Sequence, residues 1–138
     1  MEPTPAMNLT NGEKDTCTYM GLFGALIAIT CLIQHIVITR MHWITFVMMA
    51  LYLFSIVAFV TLTLLKGFSP LLLIASTVVI FGMEVFHLFS HLFSLILVSF
   101  LIYHFVLLAI LFMGTIPQKL KYREAVLRAE ELAWQDKI

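Results

Sequence analysis

The sequence predicts an all-α integral membrane protein, with four transmembrane helices as two hairpins plus a C-terminal amphipathic surface helix. Three observations carry this. Hydrophobic residues make up 62% of the 138 residues and charged residues 12%, against roughly half and a quarter in a soluble domain, so the chain cannot cover a globule with polar surface. Phe68 to Met113 is a run of 46 residues with one formal charge, Glu84. As a single helix it would be roughly 69 Å long, about twice the ~30 Å hydrocarbon core, so it must fold back on itself. The third observation is the uneven placement of basic residues, which orients the spans.

Residues 1–18 are rich in Pro, Thr, Asn and acid and lack an apolar period, which predicts a flexible polar leader. Glu2, Glu13 and Asp15 outnumber Lys14, the reverse of a signal peptide's basic start, so the apolar run from Met20 reads as a retained span. The tripeptide Asn8-Leu9-Thr10 is a glycosylation acceptor only if this end is lumenal. Cys17 and Cys31 show no repeated spacing and predict no disulfide framework, while Cys17 is a juxtamembrane candidate for palmitoylation.

The transmembrane domain is predicted over 19–113, with spans at about 20–38, 44–65, 71–89 and 93–113. In the first, Gly21, Gly24, Ala25 and Ala28 form overlapping small-x-x-x-small pairs, a face on which another helix can pack closely. Trp43 marks a bilayer interface ahead of the second span, whose Ser55, Thr61 and Thr63 can return hydrogen bonds to the helix backbone. Lys66 to Pro70 forms a turn, with Pro70 placed to start the third helix. The chain reverses again near Ser90 and His91, where Glu84, His87, Ser90 and His91 interrupt the apolar run. Gly114 and Pro117 end the membrane region, and 114–138 is a charged tail, helical over about 118–136. There Glu124 and Arg128 form an i,i+4 pair, and Leu120, Leu127, Trp134 and Ile138 share a stripe.

Four spans put both termini on one side, and seven of the eight basic residues go with them; only Arg40 lies opposite. By the positive-inside rule that side is cytoplasmic, or the matrix side if the membrane is mitochondrial.

The same topology gathers His35, His42, Glu84, His87 and His91 at the outer face. The His87/His91 pair at i,i+4 suits a divalent metal, axial histidines at one depth suit a b-type haem, and a Glu/His cluster can relay protons. Helix-end histidines that keep a turn hydrated explain the same residues. His104, at mid-depth, must hydrogen-bond across helices, with Ser55 or Ser76 as partners. No phosphate-binding glycine loop, nucleophile elbow or nucleic-acid patch appears, so no catalytic residue, no cofactor and no nucleic-acid partner is expected. The function expected is that of a small accessory or structural subunit packing against other integral membrane proteins or itself. The alternatives are a metal- or haem-binding redox protein and a proton-sensing channel or transporter component.

The topology makes a direct prediction. Cysteines replacing Pro5 and Glu130 are protected from an impermeant thiol reagent added outside, and one replacing Met41 is labelled; the opposite pattern inverts the protein.

Overall fold

The structure, a computed structural model, describes residues 7–38, 42–89 and 95–136. It contains five helices: α1 (Asn11–Ile38), α2 (Trp43–Thr63), α3 (Ser69–Phe89), α4 (Leu95–Met113) and α5 (Ile116–Gln135). The first four are long and apolar enough to cross a membrane, which makes this a small multi-pass membrane protein. The turn predicted at Ser90 and His91 lies outside the described residues.

The expected leader needs correction, because α1 begins at Asn11 rather than near Met20. Thr10 and Glu13 form a reciprocal capping box: the Thr10 amide donates to Glu13 Oε2 at 2.8 Å, and the Glu13 amide donates to Thr10 Oγ1 at 3.2 Å. Two otherwise unsatisfied donors are thereby met, so the polar stretch nucleates a helix despite its composition. At 28 residues α1 is about 42 Å long. Its first turns therefore stand outside the hydrocarbon. Cys17, on those turns, is fully buried, which removes it as an accessible acylation site.

His42 starts α2. Its backbone is extended, its Nδ1 accepts from the Trp43 amide at 3.1 Å, and its own amide donates to Thr45 Oγ1 at 3.3 Å. At the other end of α2 the Leu65 amide donates to the Leu62 carbonyl and the Lys66 amide to the Thr61 carbonyl, at 2.9 and 3.0 Å. This is a Schellman closure, and its left-handed residue is Leu65 (φ 55°) rather than the nearby glycine. Gly67 is needed for a different reason: a side chain there would run into the Glu124 carboxylate and lie 3.2 Å from Lys121 Cα. Thr115 (φ 54°) turns the chain from α4 into α5.

Shape complementarity joins α1 to α2. A Cβ on Gly21 would sit 2.8 Å from both the Phe59 carbonyl oxygen and the Thr63 amide, and one on Gly24 would sit 2.5 Å from the Phe59 ring. Ala25 and Ala28 are buried on the same face. Phe59, itself fully buried, then reaches α4, with ring centroids 5.8 Å from Tyr103 and 4.9 Å from His104. Tyr103 closes the circuit by donating to the Met20 carbonyl of α1.

Polar contacts fasten α5 to one end of the bundle. Lys119 pairs with Glu13 at 2.6 Å, Arg123 donates to the Leu65 carbonyl at 3.3 Å, and the Gly67 amide donates to Glu124 Oε2 at 2.9 Å. Leu120 and Ile116 are buried beneath them. The start of α1, the α2–α3 turn and α5 thus share one end. Arg128, 2.6 Å from Glu124 Oε1, holds that carboxyl below the usual carboxylate range. The contribution of this contact is therefore present above ordinary carboxylate pKa values and is lost as pH falls through the depressed value.

The glycines differ in a way that unfolding measurements in mixed micelles resolve. Gly21→Ala forces backbone apart and costs about 1–3 kcal/mol. Gly82→Ala, whose Cβ meets nothing within 4 Å, is neutral or stabilising by up to about 1 kcal/mol. Equal effects would remove the close α1–α2 approach from the account.

Candidate functional site

Polar groups enter the apolar bundle at two levels. At mid-depth a hydrogen-bonded thread crosses three helices. Ser55 Oγ of α2 lies 2.7 Å from Ser76 Oγ of α3, and Ser76 Oγ lies 3.2 Å from His104 Nε2 of α4. His104 Nδ1 is 2.9 Å from the Phe100 carbonyl. A carbonyl only accepts, so a neutral imidazole carries its proton on Nδ1 and accepts at Nε2 from Ser76, and the single Ser55 hydroxyl proton is then shared between Ser76 Oγ and the Leu51 carbonyl, which lies 3.0 Å away. All three side chains are fully buried, and the Phe59 and Phe100 rings enclose the imidazole with centroids at 4.9 and 4.5 Å. Every side-chain polar atom of the thread has a partner inside the bundle, so the thread ties helices together. The small residues Gly21, Gly24, Ala25 and Ala28 belong to the same structural layer, since their face lies against α2.

The second level is at the end of the bundle away from α5. His35 comes from the last turn of α1, His42 from the cap of α2 and His87 from the last turn of α3, and all three line a cavity of about 360 Å³. Cys31, Gln34, Thr45 and Tyr52 also line it, among apolar side chains. The His35 and Tyr52 rings stand 6.0 Å apart, edge to face. A cavity of this size falls in the range that holds a small organic molecule. His87 is buried and its Nδ1 has no hydrogen-bond partner among the described residues. Both Glu84 carboxyl oxygens, one turn back along α3, are likewise buried without one. An intramembrane ionisable group left in this state is costly unless it meets a partner.

Of the five candidates, the structure therefore brings His35, His42 and His87 to one cavity, places Glu84 close behind His87, and leaves His91 outside the described residues. His42 also holds the α2 N-terminus through Nδ1, which leaves Nε2 for the cavity. Among the described residues no three of His, Cys, Asp and Glu are gathered closely enough to hold a metal ion. Sequence reasoning missed Cys31, Thr45 and Tyr52 as wall residues. Cys31 lies one helical turn before His35 and Thr45 three residues after His42, but that spacing marks a shared wall only once the rotation of each helix is known, and Tyr52 has no such neighbour.

No protein-family model matches the chain, and neither does any curated protein or solved structure.

The thread gives the sharper prediction of the two levels. Ser76→Ala leaves the Nε2 of His104 buried without a donor and lowers unfolding stability by about 1 kcal/mol, within the span measured for polar contacts between membrane helices. Thr30→Ala, which removes only a local bond to the Leu26 carbonyl on an exposed face, changes little. Equal effects would remove the thread's cross-helix role.

Proposed function

We propose that the protein is a non-catalytic accessory subunit of a membrane complex. In this reading two membrane hairpins and an amphipathic surface helix are presented to other integral membrane proteins or to further copies of the chain, with both termini on the cytoplasmic or matrix side. The observation that carries it is the outward face of α1. Leu22, Leu26, Ile29, Ile33 and Ile36 are all exposed, and they follow each other at spacings of four and three residues, the repeat by which helices interlock side chains along a seam. The inward small-residue face is occupied by α2, so this second face is the one available to a partner. Burial of only 28% of the α1 span and 39% of the α2 span supports the same reading, because most of each helix is left for lipid or protein contact. The connections are short, and α5 is the principal extramembrane element among the described residues.

One observation favours a second reading. The buried His87 Nδ1 at the cavity wall, without a hydrogen-bond partner among the described residues, suits a small redox protein that binds a metal or a b-type haem, or a proton-sensing component of a channel or transporter. Stoichiometric metal or a Soret band in the purified wild-type protein selects the redox alternative.

Deleting residues 116–138 tests the docking role assigned to the tail. The truncated protein stays inserted, and its yield of co-purifying membrane proteins falls severalfold relative to the full chain. Unchanged association would leave α5 as a cover on the end of this bundle alone and confine docking to the spans.

A further inference from the structure

A cavity of about 810 Å³ lies at the opposite end from the histidines, between α5 and the adjoining turns of α3 and α4. One wall is a stripe of α5: Lys121, Ala125, Arg128 and Leu132, spaced by four, three and four residues and so on one helical face. The facing wall is apolar, formed by Leu71 and Ile74 of α3 and Phe112 of α4. These three side chains are exposed and continue into the outward surface of the spans, where Val78 is also exposed. The groove is thus open to the hydrocarbon on its α3–α4 wall and carries its cations on its α5 wall.

We propose that this groove is a binding site for an anionic phospholipid, with the headgroup phosphate at Lys121 and Arg128 and an acyl chain along Leu71, Ile74 and Phe112. Charge complementarity argues for the anion. Glu124 is the acid of the groove, and both its oxygens are engaged, one by Arg128 and the other by the Gly67 amide. Lys121 has no ion-pair partner among the described residues, and Arg128 keeps further N–H donors beyond the one directed at Glu124. A cation excess therefore faces a slot whose other wall is lipid-exposed. A basic pocket between helices at the positive side of a membrane is the arrangement that selects anionic headgroups. The contacts that fix Lys119, Arg123 and Glu124 to the bundle hold the α5 stripe in place before any lipid arrives, so binding orders little new structure. Small side chains at Ala125 and Ala129 keep the slot open.

The test is native mass spectrometry of the full chain in mild detergent, titrated with phosphatidylglycerol or with phosphatidylcholine of the same acyl composition. The proposal predicts roughly thirtyfold preferential retention of phosphatidylglycerol, from two cations acting at the membrane surface. Lys121→Gln with Arg128→Gln brings the two lipids to parity, whereas Lys14→Gln, the same kind of charge loss at the same end but outside the groove, preserves the preference. Ala129→Trp fills the slot without changing charge and reduces retention of phosphatidylglycerol. Lys121→Gln by itself leaves the Glu124–Arg128 pair intact and halves the effect on a logarithmic scale, which keeps the result independent of any misfolding in the double variant. Equal retention of both lipids by the wild type overturns the proposal. So does indifference to Ala129→Trp, which would mean a diffuse electrostatic film, and so does a dimer mass without lipid whose formation Ala129→Trp abolishes, which would make a second copy the occupant.

Discussion

Phe59 can touch α1 and α4 at once only because Gly24 has no side chain. Its ring lies only 2.5 Å from where a Cβ at position 24 would be, and the Phe59 carbonyl and Thr63 amide each lie 2.8 Å from where one at position 21 would be. In lipid there is no hydrophobic effect between apolar helices, so close contact over a matched surface must supply the attraction. The ring then meets Tyr103 and His104 on α4, and Tyr103 returns a hydrogen bond to α1. Three helices are fixed around one side chain.

The mid-depth thread depends on that seat. His104 is pressed between Phe59 and Phe100, which sets its ring so that Nε2 faces Ser76 on α3 and Nδ1 faces its own helix. Packing thus orients the polar contact, and the polar contact brings in the fourth helix. The two ends of the bundle are left with different tasks. At one end α5 is held by Lys119, Arg123 and Glu124 against α1 and the α2–α3 turn. At the other, His87 lines a cavity with Glu84 one turn behind it, and both carry buried polar atoms without a hydrogen-bond partner among the described residues.

The spans were legible because hydropathy over about twenty residues is a direct statement about solvent, and the order of apolar runs leaves little choice. The start of α1 was not legible from composition, yet Thr10 and Glu13 stand at the capping-box spacing, and that local pattern outweighs the Pro- and Asn-rich surroundings. The α2–α3 turn could be placed from Gly67 and Pro70, but its left-handed residue is Leu65; sequence favours glycine there, and tertiary contact with Glu124 explains why the glycine is needed two residues later. A serine partner for His104 followed from the cost of a lone imidazole at mid-depth. The wall formed by Cys31, Thr45 and Tyr52 did not follow, since it depends on how α1 and α2 are rotated about their axes, and helices apolar on all sides carry almost no sequence record of that rotation. The attachment of α5 through Glu13 joins residues 106 positions apart and has no local signal at all.

The central physical claim is that the bundle is built around the seating of Phe59 on Gly24, and a double-mutant cycle measures it. Gly24→Ala in the wild-type background pushes a methyl group into the ring and costs about 1–3 kcal/mol of unfolding free energy. In a Phe59→Leu background the ring is gone, and the same substitution loses most of its cost, a coupling of at least about 1 kcal/mol. Additivity within about 0.5 kcal/mol would show that the two residues do not meet and would contradict the packing from which the rest of the account is drawn.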